Sequence, residues 1–186
     1  MPDVFEVLGA AHREVGQMLD RMQAMMSVPA ELRDRGGALA DTLISAVSQH
    51  EAAEEAYFWP AVKEKVADGD SLAAGGIEQE TEGKQVLGKL DGMAPGDQQF
   101  VPLMTKFAHA ARAHISYEEQ QVWPGLRTVL SADQATALGE KLARATKAGP
   151  TRPHPRTPPS PAVLKAAGPA VAAADKLRDA ASGRDN

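Results

Sequence analysis

Apolar residues in the first 148 positions return at steps of three and four. Phe5, Leu8, Val15, Leu19, Met22 and Met26 form one such stripe. That period places them on one face of a helix, here from about Asp3 to Met26, with Pro29 marking the first connection. A second helical segment is expected from about Glu31 to Val66 on Leu39, Leu43, Val47, Phe58 and Val62. Gly36-Gly37 near its start and Pro60 within it are expected to loosen or kink it. A third runs from about Ser71 to Leu90 and stops before Gly92 and Pro95. A fourth is expected from Asp97, a good N-cap, to about Trp123; Pro102 leaves room for a start displaced by a few residues. A fifth follows from about Ser131 to Lys147, opened by Ser131-Ala132-Asp133-Gln134, a capping-box pattern.

The pattern breaks at Gly149. Six prolines fall between positions 149 and 161, a density that rules out a helix and predicts an extended linker or strap. The Ala-rich stretch from Val163 to Ser182 is compatible with a short helix. The expected fold is therefore all-α: an antiparallel up-down four-helix bundle with an additional C-terminal helix and a Pro-rich tail. The expected division is a bundle over residues 1–148 and a strap with its tail over 149–186.

Composition sharpens this picture. Hydrophobic residues make up 43% of the 186-residue chain and aromatics only 4%, so Ala, Leu, Val and Met must fill most of the core. That mix suits helix-on-helix packing better than a sheet. The absence of cysteine excludes disulfides, iron–sulfur ligation and thiolate zinc sites. No apolar run approaches the length of a membrane span and no secretory pattern opens the chain, so a cytoplasmic protein without membrane contact is expected. Residues 1–148 carry a formal charge of −8 and residues 149–186 carry +3. An acidic body argues against nucleic acid as a partner. The sequence identifies no protein partner.

The chemistry lies in a repeat. His50-Glu-Ala-Ala-Glu54-Glu55-Ala-Tyr57-Phe-Trp59-Pro60 and His114-Ile-Ser-Tyr117-Glu118-Glu119-Gln-Gln-Val-Trp123-Pro124 align without gaps. His, Glu, Glu, Trp and Pro recur at the same offsets. Residues four apart on a helix point the same way one turn apart, so His-x-x-x-Glu aims an imidazole and a carboxylate together. Two such helices facing each other supply both halves of a dinuclear metal site. Imidazole and carboxylate without thiolate suit iron or manganese, with zinc still open. An isolated His-x-x-x-Glu is usually a surface ion pair. Here Phe107, Ala110 and Ala111 share the face of His114, and Val47 shares that of His50, which predicts burial. His12, between Leu8 and Val15 on the first stripe, joins as a further candidate ligand.

His12, His50-x-x-x-Glu54 and His114-x-x-x-Glu118, each of the two pairs followed by a second Glu and then a Pro, resemble the hemerythrin-like (HHE cation-binding) family over roughly residues 4–145. The resemblance implies a four-helix bundle around two non-haem iron ions, oxo- or carboxylate-bridged. It also implies proteins that bind dioxygen, handle peroxide or nitric oxide, or sense iron and oxygen. The family pattern places one more His on the third helix, and this chain has none there. Aligning the apolar end Val86 to Leu90 puts Glu80 in that position, with Gln79 the weaker neighbour. The metal set this implies is His12, His50, Glu54, Glu80, His114 and Glu118.

Tyr57 and Tyr117 are expected to face the same way as their histidines, each open to being a ligand, a hydrogen-bond donor to one, or core. Tyr57 is the better ligand candidate. His109, Glu55 and Glu119 lie off that face, and His154 belongs to the strap. Three carboxylates beside three imidazoles favour ferric iron and weaken reversible dioxygen binding. The first functional expectation is thus a catalase- or peroxidase-like oxidoreductase that decomposes hydrogen peroxide or otherwise removes reactive oxygen or nitrogen species. The second is non-enzymatic binding or sensing of dioxygen, nitric oxide or iron, with the tail as output.

Overall fold

The structure is a computed structural model that describes residues 1–183, without the side chains of residues 31, 34 and 35. The last three positions of the expected tail lie outside the described residues. All regular structure among the described residues is helical. The helices are α1 (Val4–Met26), α2 (Gly37–Ala53), α3 (Trp59–Lys65), α4 (Gly69–Leu90), α5 (Phe100–Tyr117), α6 (Trp123–Val129), α7 (Ala132–Ala148) and α8 (Pro161–Ser182). No helix among the described residues is long and apolar enough to cross a membrane.

Local chemistry explains most boundaries. Asp3 accepts from the Glu6 amide while Glu6 accepts from the Asp3 amide, closing a capping box on α1. Ser131 and Gln134 do the same for α7, as the sequence predicts. The fourth segment starts at Phe100 rather than Asp97. Asp97 instead accepts from the Gln99 amide, and Pro102 occupies the first turn, where its missing N–H costs nothing.

The second expected segment differs most. Ala30–Gly36 is a tight 3-10 turn, and α2 begins only at Gly37. The helix then passes through a π turn over Glu54–Phe58 before α3 resumes at Trp59. The other copy of the repeat does the same, with a π turn over Glu118–Val122 between α5 and α6. In each the Trp amide reaches back five residues, Trp59 to the Glu54 carbonyl and Trp123 to the Glu118 carbonyl. The following Pro has no N–H and its ring crowds the carbonyl four residues back, and a widened turn relieves that clash.

α1, α2 with α3, α4, and α5 with α6 run alternately up and down around one core, and α7 packs along α1 and α2. The core divides into two apolar clusters. Val15, Leu19, Met22, Leu43, Leu87, Phe100 and Phe107 fill one end. Phe5, Leu8, Phe58, Trp59, Val62, Trp123 and Leu126 fill the other. Each fully buried side chain of this size contributes about 1.5–3 kcal/mol relative to exposure. On α1, His12 falls between the two clusters; on α4, Glu80 does; on α5, His114 does.

The strap and α8 are held differently. The only buried residues of α8 are Ala172, Asp175 and Asp179. Arg152 of the strap pairs with Asp91 after α4 (3.1 Å) and with Asp179 (2.9 Å), and Thr151 donates to Asp179. His154 pairs with Asp175 at 2.8 Å. A polar clamp, rather than an apolar seam, fixes α8 over the first π turn.

Candidate metal centre

Between the two apolar clusters lies a layer of ionisable groups. His12, His50, Glu54, Glu80, His114 and Glu118 are each 8% exposed or less, and Glu54 and Glu118 are completely buried. The repeat builds it: α2 delivers His50 and opens the π turn with Glu54, and α5 delivers His114 and opens the second π turn with Glu118. His50 Nε2 lies 3.2 Å from Glu54, and His114 Nε2 lies 3.0 Å from Glu118. Across the bundle, His12 Nε2 lies 3.5 Å from Glu118, and His114 Nε2 lies 3.8 Å from Glu80. Donor atoms of His12, His50 and Glu54 all fall within 4.8 Å of one another, as do those of Glu54, Glu80, His114 and Glu118. Glu54 belongs to both groups.

Eight side-chain atoms of this layer are buried without a hydrogen-bond partner. They are Nε2 of His12, His50 and His114, both oxygens of Glu54 and of Glu118, and Oε2 of Glu80. A buried polar atom left unsatisfied costs about 1–3 kcal/mol, so eight converging on one point are not a structural core. They could serve as the donor set of a cation site, because imidazole nitrogen with carboxylate oxygen fits first-row divalent or trivalent metals.

The electrostatics agree. Burial, then repulsion from Glu118, Glu80 and Glu51, pushes the Glu54 carboxyl well above its ordinary pKa. Burial also raises Glu80, against the pull of Lys84. Burial and the neighbouring His12 push His50 down to about 3, which keeps its imidazole neutral. Glu118 goes the other way: burial opposes its charge, but His114 and His12 outweigh it and hold it below the carboxylate range. Acids forced this close repel one another, and cations among them remove the repulsion.

An outer set of contacts orients the layer. His12 Nδ1 donates to Glu119 at 2.9 Å, and His114 Nδ1 donates to Gln79 at 3.2 Å. In the neutral imidazole each bond puts the proton on Nδ1 and leaves Nε2 with its lone pair turned inward. The Trp59 indole N–H donates to Glu80. Its ring fits against Gly76 on α4, where an added methyl would overlap it. Lys84 pairs with Glu55 and also faces Glu51 and Glu80; those acids outweigh its burial and raise its pKa. A cavity of about 30 Å³ bordered by His12, His50, Glu51, Glu80 and His114 adjoins the layer.

All six residues of the expected set come together. The two tyrosines do not join them. An uninterrupted helix would return Tyr57 beneath His50, but the π turn adds a residue to that turn and spoils the phase. Its ring lies instead under Lys165 of α8, 4.6 Å from the ammonium. The Tyr117 hydroxyl donates to the Leu72 carbonyl at 2.8 Å. His109 is exposed, and His154 belongs to the α8 clamp. The sequence reading missed Glu51, 5% exposed and pushed up to about 7 by burial against the pull of Lys84. It also missed Lys84 and the indole donor of Trp59. Lys84 stands four residues after Glu80, a spacing that pairs side chains on a helix and was open to notice.

A family model described as Hemerythrin HHE cation binding domain matches residues 3–126. An uncharacterized hemerythrin-like protein of Schizosaccharomyces pombe is 28% identical over 134 residues, which cover 72% of this chain and 66% of that relative. The matched part thus spans just under two thirds of the relative's length. The crystal structure of a hemerythrin HHE cation binding domain-containing protein from Mycobacterium kansasii superposes with a TM-score of 0.64. It is 21% identical and covers 79% of this chain and 86% of its own.

Proposed function

Because the chain belongs to the hemerythrin HHE cation-binding family, we propose that its polar layer holds two non-haem iron ions and that the protein decomposes hydrogen peroxide or otherwise removes reactive oxygen or nitrogen species. The observation that carries the metal reading is the convergence of eight unpartnered buried donor atoms. In this reading His12, His50 and Glu54 would hold one ion, and Glu54, Glu80, His114 and Glu118 would hold the other. When bound, iron supplies the electron-transfer capacity that the side chains lack.

The side chains supply position and charge. Glu119 and Gln79 fix the tautomers of His12 and His114, and the Trp59 N–H anchors Glu80. The cavity of about 30 Å³ beside the layer has room for a molecule the size of water or peroxide and little more. Three carboxylates against three imidazoles favour the higher oxidation state of the metal. That supports turnover of peroxide over reversible carriage of dioxygen, which needs reduced iron.

The test is metal content followed by peroxide addition. About two irons per chain and sustained oxygen release are expected. A purified protein that takes up no iron refutes the metal reading. Iron-loaded protein that gives one stoichiometric spectral change and no turnover refutes the enzymatic reading. It leaves the second reading, non-enzymatic binding or sensing of dioxygen, nitric oxide or iron. One observation favours that second reading: α8 packs against the π turn that begins with Glu54, so the tail sits beside the layer.

A further inference from the structure

The two tryptophans meet the polar layer in different ways. Trp123 lies nearly flat on a proposed ligand: its ring and the His12 imidazole have centroids 5.3 Å apart and planes 15° from parallel. Trp59 stands at 56° to the His114 ring, 6.2 Å away. Electron exchange between aromatic rings falls steeply with separation and gains from overlapping π faces, so the Trp123–His12 pair is the better coupled. Trp123 also reaches outwards. It is 8% exposed, whereas Trp59 is fully enclosed.

Indole is among the most readily oxidised side chains. The Trp59 N–H is committed to Glu80. The Trp123 N–H is buried and has no acceptor. A buried donor without a partner is costly, and a redox role is one of the few reasons to keep one. A Trp123 ring that loses an electron has no neighbour to take its proton, so one returning electron restores it.

Positive charge flanks this ring. The Arg127 guanidinium lies 5.9 Å from the Trp123 ring and 3.9 Å over Phe5. A guanidinium nitrogen of Arg13 and the outer carbon Cη2 of Trp123 both lie within 4 Å of one point, the place of a Cβ on Gly9. Both arginines are exposed, and neither pairs with an acid among the described residues. On a body of charge −8 this is a place where an anion can approach.

We propose that Trp123 is the electron-entry residue of the metal layer, passing single electrons through the His12 ring from an anionic one-electron reductant that meets the protein at Arg13 and Arg127. The proposal rests on the di-iron, peroxide-decomposing reading above. Each peroxide takes up two electrons and two protons and leaves as two waters. The protons come from solvent, and two donor molecules give one electron each. An electron leaves the indole for the layer, and the donor refills the indole. The arginines oppose a lasting positive charge on the ring, so none rests there while donor is present.

The test uses the full iron-loaded chain, with ascorbate as the anionic donor and hydroquinone as the neutral one. With peroxide and no donor, rapid freezing should trap a tryptophan radical, identified by the change in its electron paramagnetic resonance spectrum when the indoles are deuterated. Trp123→Phe should lose that signal and slow the oxidation of both donors, while iron content stays at about two per chain. Arg13→Gln combined with Arg127→Gln should raise the KM for ascorbate about two- to tenfold and leave hydroquinone unchanged. Added salt should act on the unaltered protein in the same selective way. A radical that survives in Trp123→Phe belongs to Trp59 and overturns the proposal, as do donor rates per iron that match those of the unaltered protein. If Trp123→Phe fails to fold or to hold iron, the exposed arginine variants and the spectrum of the unaltered protein decide. No tryptophan radical, or equal loss for both donors, then overturns the proposal. Protein that takes up no iron, or that holds iron and consumes no peroxide, removes the underlying reading and this inference with it. Iron-loaded protein that consumes peroxide and is indifferent to Trp123→Phe removes this inference alone.

Discussion

The two copies of the repeat share a backbone and differ in what surrounds them. Both pass from α-helix through a five-residue π turn into a Trp-Pro helix start, and both deliver a buried His and Glu to the same layer. Around His50 the copy is enclosed. The Glu55 side chain is 4% exposed and locked to Lys84, with the strap and α8 above it. Around His114 it is open. The Glu119 side chain is 42% exposed and bonds His12. The tryptophans diverge likewise: Trp59 donates to Glu80, whereas Trp123 stacks on the His12 ring at 5.3 Å and its N–H has no partner. Even the two glutamates titrate in opposite directions, Glu54 upward and Glu118 downward. Local sequence sets the turn, and partners across the bundle set the charge.

The strongest test of the likeness removes the carboxylates that both copies place in the layer. Glu54→Ala and Glu118→Ala should each reduce bound iron from about two per chain to less than one, measured by metal analysis after gel filtration. If one variant retains both ions, the two copies are not equivalent in the site. A second test separates their neighbours. Glu119→Gln should weaken iron binding about ten- to a hundredfold, because His12 loses its anchor, with little change in folding stability. Glu55→Gln should do the reverse. It leaves Lys84 without its closest acid and should lower stability by about 2 kcal/mol in denaturant titration while iron content holds. Matching effects from the two variants would erase the distinction between an enclosed and an open half.

The smallest effect is expected from the cover itself. Arg152→Ala removes the centre of the polar clamp. Amide exchange over residues 161–182 should speed up about tenfold or more, with α5 and α6 unchanged. Slowly exchanging α8 amides in that variant would mean that apolar contacts hold the helix.

Most of the fold is visible in the apolar stripes and caps. The Ser131–Gln134 box, the Pro-rich strap and the Ala-rich final helix, which extends over Pro161–Ser182, all follow from residues a few positions apart. The inner layer was legible too, because His-x-x-x-Glu is a local signal and appears twice. What escaped was phase and partnership. The misplacement of Tyr57 shows the first: counting by helical turns fails once a π turn intervenes, and Pro60 marks the first turn of α3 after that π turn rather than a simple kink. Trp59, Glu51 and Lys84 show the second. Their importance depends on which helix faces which, and spacing along one chain does not reveal that.

Gly76 has no charge, no donor and no side chain, yet the Trp59 ring occupies the volume that any side chain there would claim. The ring in turn holds Glu80 by its N–H. A methyl group at position 76 would move a carboxylate two contacts away. The molecule's tolerance of change is therefore poorly described by chemical reactivity alone. The space left at one glycine limits substitution as strictly as any carboxylate of the layer, and a survey of permissive positions would find this inert residue among the least free to vary.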